Sequence, residues 1–230
     1  MGEAEIDHQS KRITVRSHIV TYGSEANEEL TERIRAEIER MWNEPAARVF
    51  REGEHYHLFF EITAQCWPDI PELEVLKNLD PRNNYFRIEN FVHGNISFVD
   101  GLGCNSGYFL LENLYEGSTT AAHEYGHTLG LDHPRHLDIR GEGVPGIMYP
   151  RGTLVDAQYQ YDPLKPAGPN GGTMHPMHRK VSLKDMELLR LHRLRFNAMN
   201  RAIVGEFTNI YHWPHERGQA PRMQRPPVRG

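Results

Sequence analysis

Residues 121–134 read AAHEYGHTLGLDHP and contain three histidines, one glutamate and two glycines. His123 and His127 are four residues apart, so a helix places both imidazoles on one face, one turn apart, where they can bind one ion. Glu124 lies beside them and is expected to take a proton from water polarised by that ion. The stretch therefore predicts a helix that carries a metal site.

A straight helix cannot bring a third ligand back to the same ion, and Gly130 supplies the turn. Glycine readily adopts the left-handed conformation that ends many helices, so the chain can reverse there and return His133 to the pair. Three imidazoles leave one coordination position open, as in catalytic zinc sites. We expect His123, His127 and His133 to bind Zn²⁺. With 14 histidines in the chain, the register of Gly130 and His133 is what argues against coincidence.

Patterns before this stretch predict strands and one long helix. Residues 12–20 alternate apolar and polar, as in a half-buried strand, and residues 25–45 carry apolar residues at helical spacing. Residues 47–66 predict a hairpin or two successive strands, and the strand–helix–strand order favours parallel pairing. Three further short strands are expected in YFRIENF (85–91), NISFVDG (95–101) and GYFLLEN (107–113). The metal-binding helix should begin near Ser118.

The sequence changes in character after His133. Residues 134–180 are rich in glycine and proline, which predicts irregular but packed structure. Residues 181–203 have Leu183, Met186, Leu189 and Leu194 at helical spacing and predict a second long helix, with the basic residues from Arg179 onward on its exposed face. We expect a single domain over 1–213, with an upper lobe of about 1–133 and a lower lobe of about 134–213. Residues 214–230 should form a flexible tail.

Composition excludes several classes of protein. The net charge of −5 with mixed signs leaves no basic footprint for nucleic acid. No apolar run approaches the roughly 18 residues of a membrane span. The first 20 residues lack the pattern of a secretory signal, so the compartment stays open. Cys66 and Cys104 are too few for a disulfide framework. We expect a monomer that meets neither nucleic acid nor membrane.

The segment HEYGHTLGLDHP resembles the signature of the metzincin clan of zinc endopeptidases, H-E-x-x-H-x-x-G-x-x-H, at every fixed position. That clan also has a methionine turn downstream of the third histidine, and GIMYP (146–150) is similar to it. The resemblance makes Met148 the hydrophobic floor beneath the metal. Met-Tyr-Pro is similar to the matrixins and Pro134 to the serralysins, so the resemblance is to a matrixin- or serralysin-like metzincin.

The resemblance implies an α/β (α+β) fold. A twisted mixed sheet, a backing helix and the active-site helix would form the upper lobe, and an irregular lower lobe would end in a C-terminal helix. It also implies a zinc-dependent endopeptidase with Glu124 as the catalytic base, acting on protein or peptide substrates in the cleft between the lobes. Such substrates bind along an edge strand by main-chain hydrogen bonds, and residues 95–101 or 107–113 are the candidates. Export by a non-classical route is favoured by the same resemblance.

Three tyrosines are candidates for substrate binding. Tyr149 follows Met148 directly, whereas serralysins and astacins have their metal-associated tyrosine two residues after the methionine, so Tyr149 is not expected to be a ligand. Gly152 stands where matrixins often have a tyrosine that walls the specificity pocket. Tyr159 or Tyr161 is therefore expected to build this wall.

Two other functions remain open from the sequence. A zinc-containing module that binds peptides without cutting them would usually lose the glutamate, and Glu124 is present. The chain could also be the toxic or processing part of a larger secreted assembly. Cys104 in its glycine-rich turn, His55 and His57, and the histidines of MHPMH (174–178) are interpreted as packing or surface residues.

Overall fold

The computed structural model describes residues 1–216, in which the chain forms eight β-strands and four α-helices. The strands are β1 (Gly2–Asp7), β2 (Arg12–Tyr22), β3 (Arg48–Arg51), β4 (Glu54–Cys66), β5 (Asn83–Glu89), β6 (Phe98–Val99), β7 (Ser106–Leu110) and β8 (Arg201–Val204). The helices are α1 (Glu28–Asn43), α2 (Glu72–Leu76), α3 (Thr120–Thr128) and α4 (Leu183–Leu188). This is a mixed α/β fold, which confirms the predicted α+β class.

All eight strands belong to one curled sheet. Six of them follow the order β3-β4-β2-β5-β7-β6, and β8 joins the sheet through β1, which pairs with β2. β2 pairs in parallel with β4 along one side. Its other side is shared, because the C-terminal half pairs in parallel with β5 and the N-terminal half pairs antiparallel with β1. β5 and β7 are also parallel, and β6 is antiparallel to β7 at the edge. The parallel β2–β4 pairing predicted from the strand–helix–strand order is confirmed.

Helix α1 backs the sheet, close to its predicted range. Asn27 caps the helix, since its Oδ1 accepts a hydrogen bond from the Leu30 N–H at 2.9 Å. The helix buries one apolar face against the sheet, made of Leu30, Ile34, Ile38, Met41 and Trp42. This face also supports α3, because the Trp42 indole N–H donates to the Ala122 carbonyl at 3.1 Å.

Two features of the sheet differ from the predictions. β2 is buried over most of its length and not on one face alone, because one face packs in the main core with α1, and Val20 and Tyr22 at its C-terminal end pack in a second cluster with Ile70 and Val75. β1 was not predicted, although its residues alternate between buried and less buried positions. Glu3, Glu5 and Asp7 fill every second position of β1, and the residues between them are Gly2, Ala4 and Ile6. Only one of these is a large apolar residue, so the alternation is a weak strand signal in the sequence.

The predicted helix over 181–203 is wrong beyond its first turns. α4 has only six residues, and Arg190 adopts a left-handed conformation with φ of 51°. Leu183 and Leu188 are exposed, so the apolar spacing does not face a continuous core. The chain then returns to the sheet as β8, where Ala202 and Val204 alternate with exposed residues. The alternation in Arg201–Val204 is typical of a strand, but three of these four residues were included in the predicted helix.

Residues 134–180 are irregular and packed, as predicted. Isolated bridges pair Asp138 with Leu154 and Gln160 with Met174. A small hydrophobic cluster of Ile139, Val155 and Met174 forms their core. Within the range expected for the lower lobe, β8 pairs with β1 of the large sheet. Of the tail expected at 214–230, positions 217–230 lie outside the described residues.

None of the helices in residues 1–216 has the length and apolar content that a membrane crossing requires.

Candidate metal centre

Helix α3, which carries His123, Glu124 and His127, begins without a cap of its own. Thr119 precedes it in a left-handed conformation with φ of 56° and provides no side-chain cap. Glu37 on α1 takes this role, because its Oε1 accepts a hydrogen bond from the Ala122 N–H at 3.2 Å. A carboxylate at a helix N-terminus also meets the positive end of the helix dipole. The start of α3 is therefore set by a residue more than 80 positions away.

The end of α3 follows the prediction for Gly130. This glycine has φ of 93°, and its N–H donates to the His127 carbonyl at 3.0 Å. The Leu131 N–H donates to the Gly126 carbonyl at 3.0 Å, so the two bonds form a Schellman motif. The chain turns back at this point and brings His133 next to the helix.

The three predicted ligand histidines lie together. The Nε2 atoms of His123 and His127 are each 3.1 Å from the Nε2 atom of His133. His123 Nδ1 lies 2.6 Å from the Ile147 carbonyl oxygen, and His127 Nδ1 lies 2.7 Å from that of Leu131. A carbonyl oxygen can only accept, so both Nδ1 atoms carry the proton and both Nε2 atoms present a lone pair.

This arrangement fits a metal ion. A tetrahedral ion with bonds of about 2.0–2.1 Å holds its ligand nitrogens about 3.3 Å apart, close to the separations found here. Among residues 1–216, only His123, His127 and His133 form a group with three metal-binding side chains close enough to share one ion. The three could hold a metal ion, and their imidazole set suits zinc among several transition metals.

Burial keeps the ligand imidazoles neutral. It lowers the pKa of His123 well below the ordinary value and the pKa of His127 to about 4. The pKa of His133 is also lowered by burial, although this side chain is the most exposed of the three. Only neutral imidazole can bind a metal, so the fold prepares the ligands for binding.

We expect the zinc affinity of the protein to change less than about threefold between pH 7.5 and pH 6.0. Protonation competes with the metal only near and below the lowered pKa values, so affinity should fall steeply below about pH 5. Three imidazoles of ordinary pKa would lose roughly fiftyfold in affinity over the same interval. Titration with a zinc-selective dye measures the difference, with a synthetic peptide of residues 119–134 as the unfolded control. A protein that loses affinity as steeply as the peptide would contradict the prediction.

Glu124 lies one residue after the first ligand and is almost fully buried. Burial raises the pKa of its carboxyl to about 8, although nearby Arg179 and Arg151 act in the opposite direction. A cation held by the three imidazoles would favour the carboxylate form. Glu124 and Val99 of the edge strand β6 line the same cleft.

Met148 packs against α3. The side chain is 2% exposed and belongs to the main hydrophobic core. The preceding residue, Ile147, supplies the carbonyl that orients His123. Met148 contacts the helix at Gly126, where a Cβ atom would lie 2.4 Å from the methionine Sδ and 3.2 Å from Trp42 Cζ2. Glycine at 126 is thus required by the approach of this methionine.

Gly126→Ala is expected to lower the free energy of unfolding by up to about 2 kcal/mol. Overpacking against Met148 costs about 1–3 kcal/mol and outweighs the gain in helix propensity, which is about 1 kcal/mol. Urea denaturation measures the change. Gly152→Ala is the matched control, since nothing lies within 4 Å of its added methyl group. Equal stability of the two variants would show that the contact with Met148 is not tight.

His123, His127 and His133 line an open cleft of about 480 Å³. Its lining includes Ser97, Phe98 and Val99 of the β6 region, together with Pro150, Arg151 and Arg179. Of the two candidate edge strands, β6 within residues 95–101 is at the edge, and β7 is covered by it.

The three tyrosine candidates lie elsewhere. Tyr149 and Tyr159 pack against the small cluster of Ile139, Val155 and Met174. The Tyr161 ring lies 4.4 Å from that of His175. The described residues that line the cleft include none of the three tyrosines.

The other side chains that the sequence singled out are also outside the cleft. His55 contacts Phe50 on the β3–β4 hairpin, and the rings of His175 and His178 are 5.9 Å apart in the irregular segment. Cys66 and Cys104 are both free thiols, and neither lines the cleft among the described residues.

Arg179 is the residue of the cleft that the sequence analysis misjudged. It was assigned to the exposed face of a helix, but it precedes α4 and is 4% exposed. Its guanidinium donates to Thr119 Oγ1 at 2.9 Å and to the carbonyls of Ser118 and Tyr149 at 3.3 Å. Arg179 thus connects the start of α3 to the turn that contains Met148. A lone arginine in a loop carries no local signal of such a role.

Neither a family model nor a curated protein sequence matches this chain. The chemistry of the site must therefore be inferred from its own residues.

Proposed function

We propose that this chain is a zinc-dependent endopeptidase of the metzincin type, similar in its motif to matrixins and serralysins. The observation that carries the proposal is the position of Glu124 beside three imidazole nitrogens that converge on one point, at an open cleft. The antiparallel edge strand β6 and the packing of Met148 against α3 also support it. Glu124 further argues against a module that binds peptides without cutting them.

Zinc, when bound by His123, His127 and His133, would lower the pKa of a coordinated water to about 7 and polarise the carbonyl of the peptide bond. Glu124 then takes a proton from the water as its oxygen bonds to the carbonyl carbon, and passes that proton to the nitrogen as the carbon–nitrogen bond breaks. The products are one new carboxyl group and one new amine, and Glu124 returns to its starting form. The carboxylate form, which a bound cation favours, is the form that accepts the first proton.

The edge strand β6 is suited to hold an extended peptide. Its inner side is paired with β7, and its residues Phe98 and Val99 line the cleft. A peptide that adds to this edge gains main-chain hydrogen bonds whatever its side chains are. Because Val99 and Glu124 line the same cleft, a peptide bound at this edge passes next to the catalytic carboxyl.

The proposal is tested by incubating the zinc-loaded protein with a mixed peptide library, with and without a metal chelator. Cut sites are mapped by mass spectrometry. We expect cleavage within peptides that stops with chelator and returns when zinc is added back. Absence of chelator-sensitive cleavage across the library would argue for a non-catalytic peptide-binding protein.

A further inference from the structure

The cleft extends past Glu124 toward the start of α3, where five lining residues form what we name the Arg151 pocket. They are Asn113, Thr120, Pro150, Arg151 and Arg179. Thr120 lies one helical turn before Glu124. His127 and His133 lie toward the opposite end of the helix, so the pocket is on the far side of Glu124 from them.

Arg151 gives this pocket an unneutralised positive charge. Its side chain is exposed, and its Nη2 donates to Asn113 Oδ1 at 2.7 Å. Within residues 1–216 no carboxylate forms an ion pair with it, although 14 such pairs occur in that part of the chain. The amide oxygen of Asn113 orients the guanidinium without cancelling its charge. Arginine held this way presents further N–H donors to a planar anion.

Arg179 adds a second cation behind the first. All three of its hydrogen bonds go to neutral oxygens, so no direct partner cancels its charge. Burial lowers its pKa only to about 10, so it stays protonated at neutral pH. The nearby acids are Glu124, which is next to the first histidine of the triad, and Glu37 of α1, which accepts a hydrogen bond from the Ala122 N–H. Since Glu37 already caps α3, a ligand in the pocket would be bound by side chains and not by the helix N-terminus.

Thr120 supplies an independent indication that the pocket takes a ligand. Its side chain is buried and lines the cleft, yet its Oγ1 has no hydrogen-bond partner. Leaving a buried hydroxyl unpaired is energetically unfavourable, so such groups usually have a partner in the functional state. The pocket therefore combines two cations with a hydroxyl that can donate to an anion.

We propose that the Arg151 pocket binds a carboxylate of the substrate, on the C-terminal side of the peptide bond that is cut. This rests on the proposed endopeptidase function. Glu124 must reach the leaving nitrogen, so the part of the cleft beyond Glu124 receives the segment that this nitrogen begins. The carboxylate comes either from an acidic side chain just after the cut bond or from a free C-terminus. The preferred substrates then have a carboxylate, from either source, on the C-terminal side of the cut bond.

The test uses peptides that differ only in having Glu, Gln or Lys directly after the cut bond, each with a free or an amidated C-terminus. We expect the zinc-loaded protein to cleave the Glu peptide about tenfold more efficiently than the Gln peptide. Arg151→Gln should reduce this ratio to about twofold or less, and Arg151→Glu should favour the Lys peptide. Arg135→Gln, at an exposed arginine outside the cleft, is the control and should keep the wild-type ratio. If cleavage falls when the C-terminus is amidated and does not differ between the Glu and Gln peptides, the carboxylate that the pocket binds is the C-terminus of the peptide.

Binding of the same peptides to the Glu124→Gln protein, followed by fluorescence anisotropy, separates the two proposals. A preference for Glu that Arg151→Gln removes supports the pocket even when no peptide is cleaved, and in that case only the hydrolytic function fails. Cleavage with equal efficiency for Glu and Gln peptides and no effect of amidation would overturn the pocket and leave the endopeptidase in place. A preference that survives Arg151→Gln would also overturn it.

Discussion

Glu124→Ala is expected to keep zinc bound and to lower peptide cleavage by about 10²–10⁴-fold, the usual contribution of a general acid and base. The three ligand imidazoles are oriented by the carbonyls of Ile147 and Leu131 and by the turn at Gly130, and none of these depends on the Glu124 side chain. Zinc content by mass spectrometry and the rate of cleavage of a fluorogenic peptide measure the two effects separately.

Two comparisons make this experiment specific. Glu112→Ala removes an exposed carboxylate near the cleft but outside it, and it should leave both zinc content and cleavage unchanged. Glu124→Gln keeps the size of the side chain and should lose cleavage like the alanine variant, because an amide does not accept the proton. Cleavage at the wild-type rate by a zinc-loaded Glu124→Ala protein would refute the mechanism.

Arg179→Met is expected to lower the free energy of unfolding by about 3–5 kcal/mol, the largest effect on stability that we anticipate. The change removes the donor from two buried oxygens, Thr119 Oγ1 and the Ser118 carbonyl, and from the part-buried Tyr149 carbonyl. Each buried acceptor that loses its partner costs about 1–3 kcal/mol. Methionine retains much of the apolar volume, so the loss reports hydrogen bonds and not a cavity. Urea denaturation with circular dichroism measures the change.

Arg135→Met serves as the control for Arg179→Met, because Arg135 is exposed and its replacement should change stability by less than about 0.5 kcal/mol. Arg179→Lys retains the charge but cannot reach all three oxygens, so its stability should lie between the wild type and the methionine variant. If Arg179→Met were as stable as Arg135→Met, the connection between α3 and the Met148 turn would contribute nothing.

The local sequence was sufficient for the features that repeat along a regular backbone. The range of α1, the parallel pairing of β2 with β4 and the turn at Gly130 each follow from the spacing of apolar residues or from the conformational freedom of glycine. The same reasoning placed His123 and His127 on one helical face. These properties depend on neighbours within a few positions, so the sequence by itself determined them.

The structure of the irregular part of the chain could not be predicted from the spacing of neighbouring residues. Helical spacing over 181–203 predicted a long helix, but the chain breaks at Arg190 and continues as β8 because an edge of β1 was available. Tyr149 and Tyr159 appeared to belong to the cleft and instead pack in a separate cluster. Without a repeating backbone geometry, the direction of a side chain depends on what it meets in space.

The tertiary structure alone decided which residues surround Glu124 and begin its helix. Glu37 caps α3 from α1, Arg179 binds it to the Met148 turn, and Arg151 faces the cleft beside Asn113. These partners are about 40 to 85 positions apart in the chain, and no periodic pattern relates them. The motif at 121–134 therefore determined the candidate metal ligands, because a helix and one glycine turn suffice to gather them. The charge and shape of the cleft around them depend on long-range contacts that only the folded chain creates.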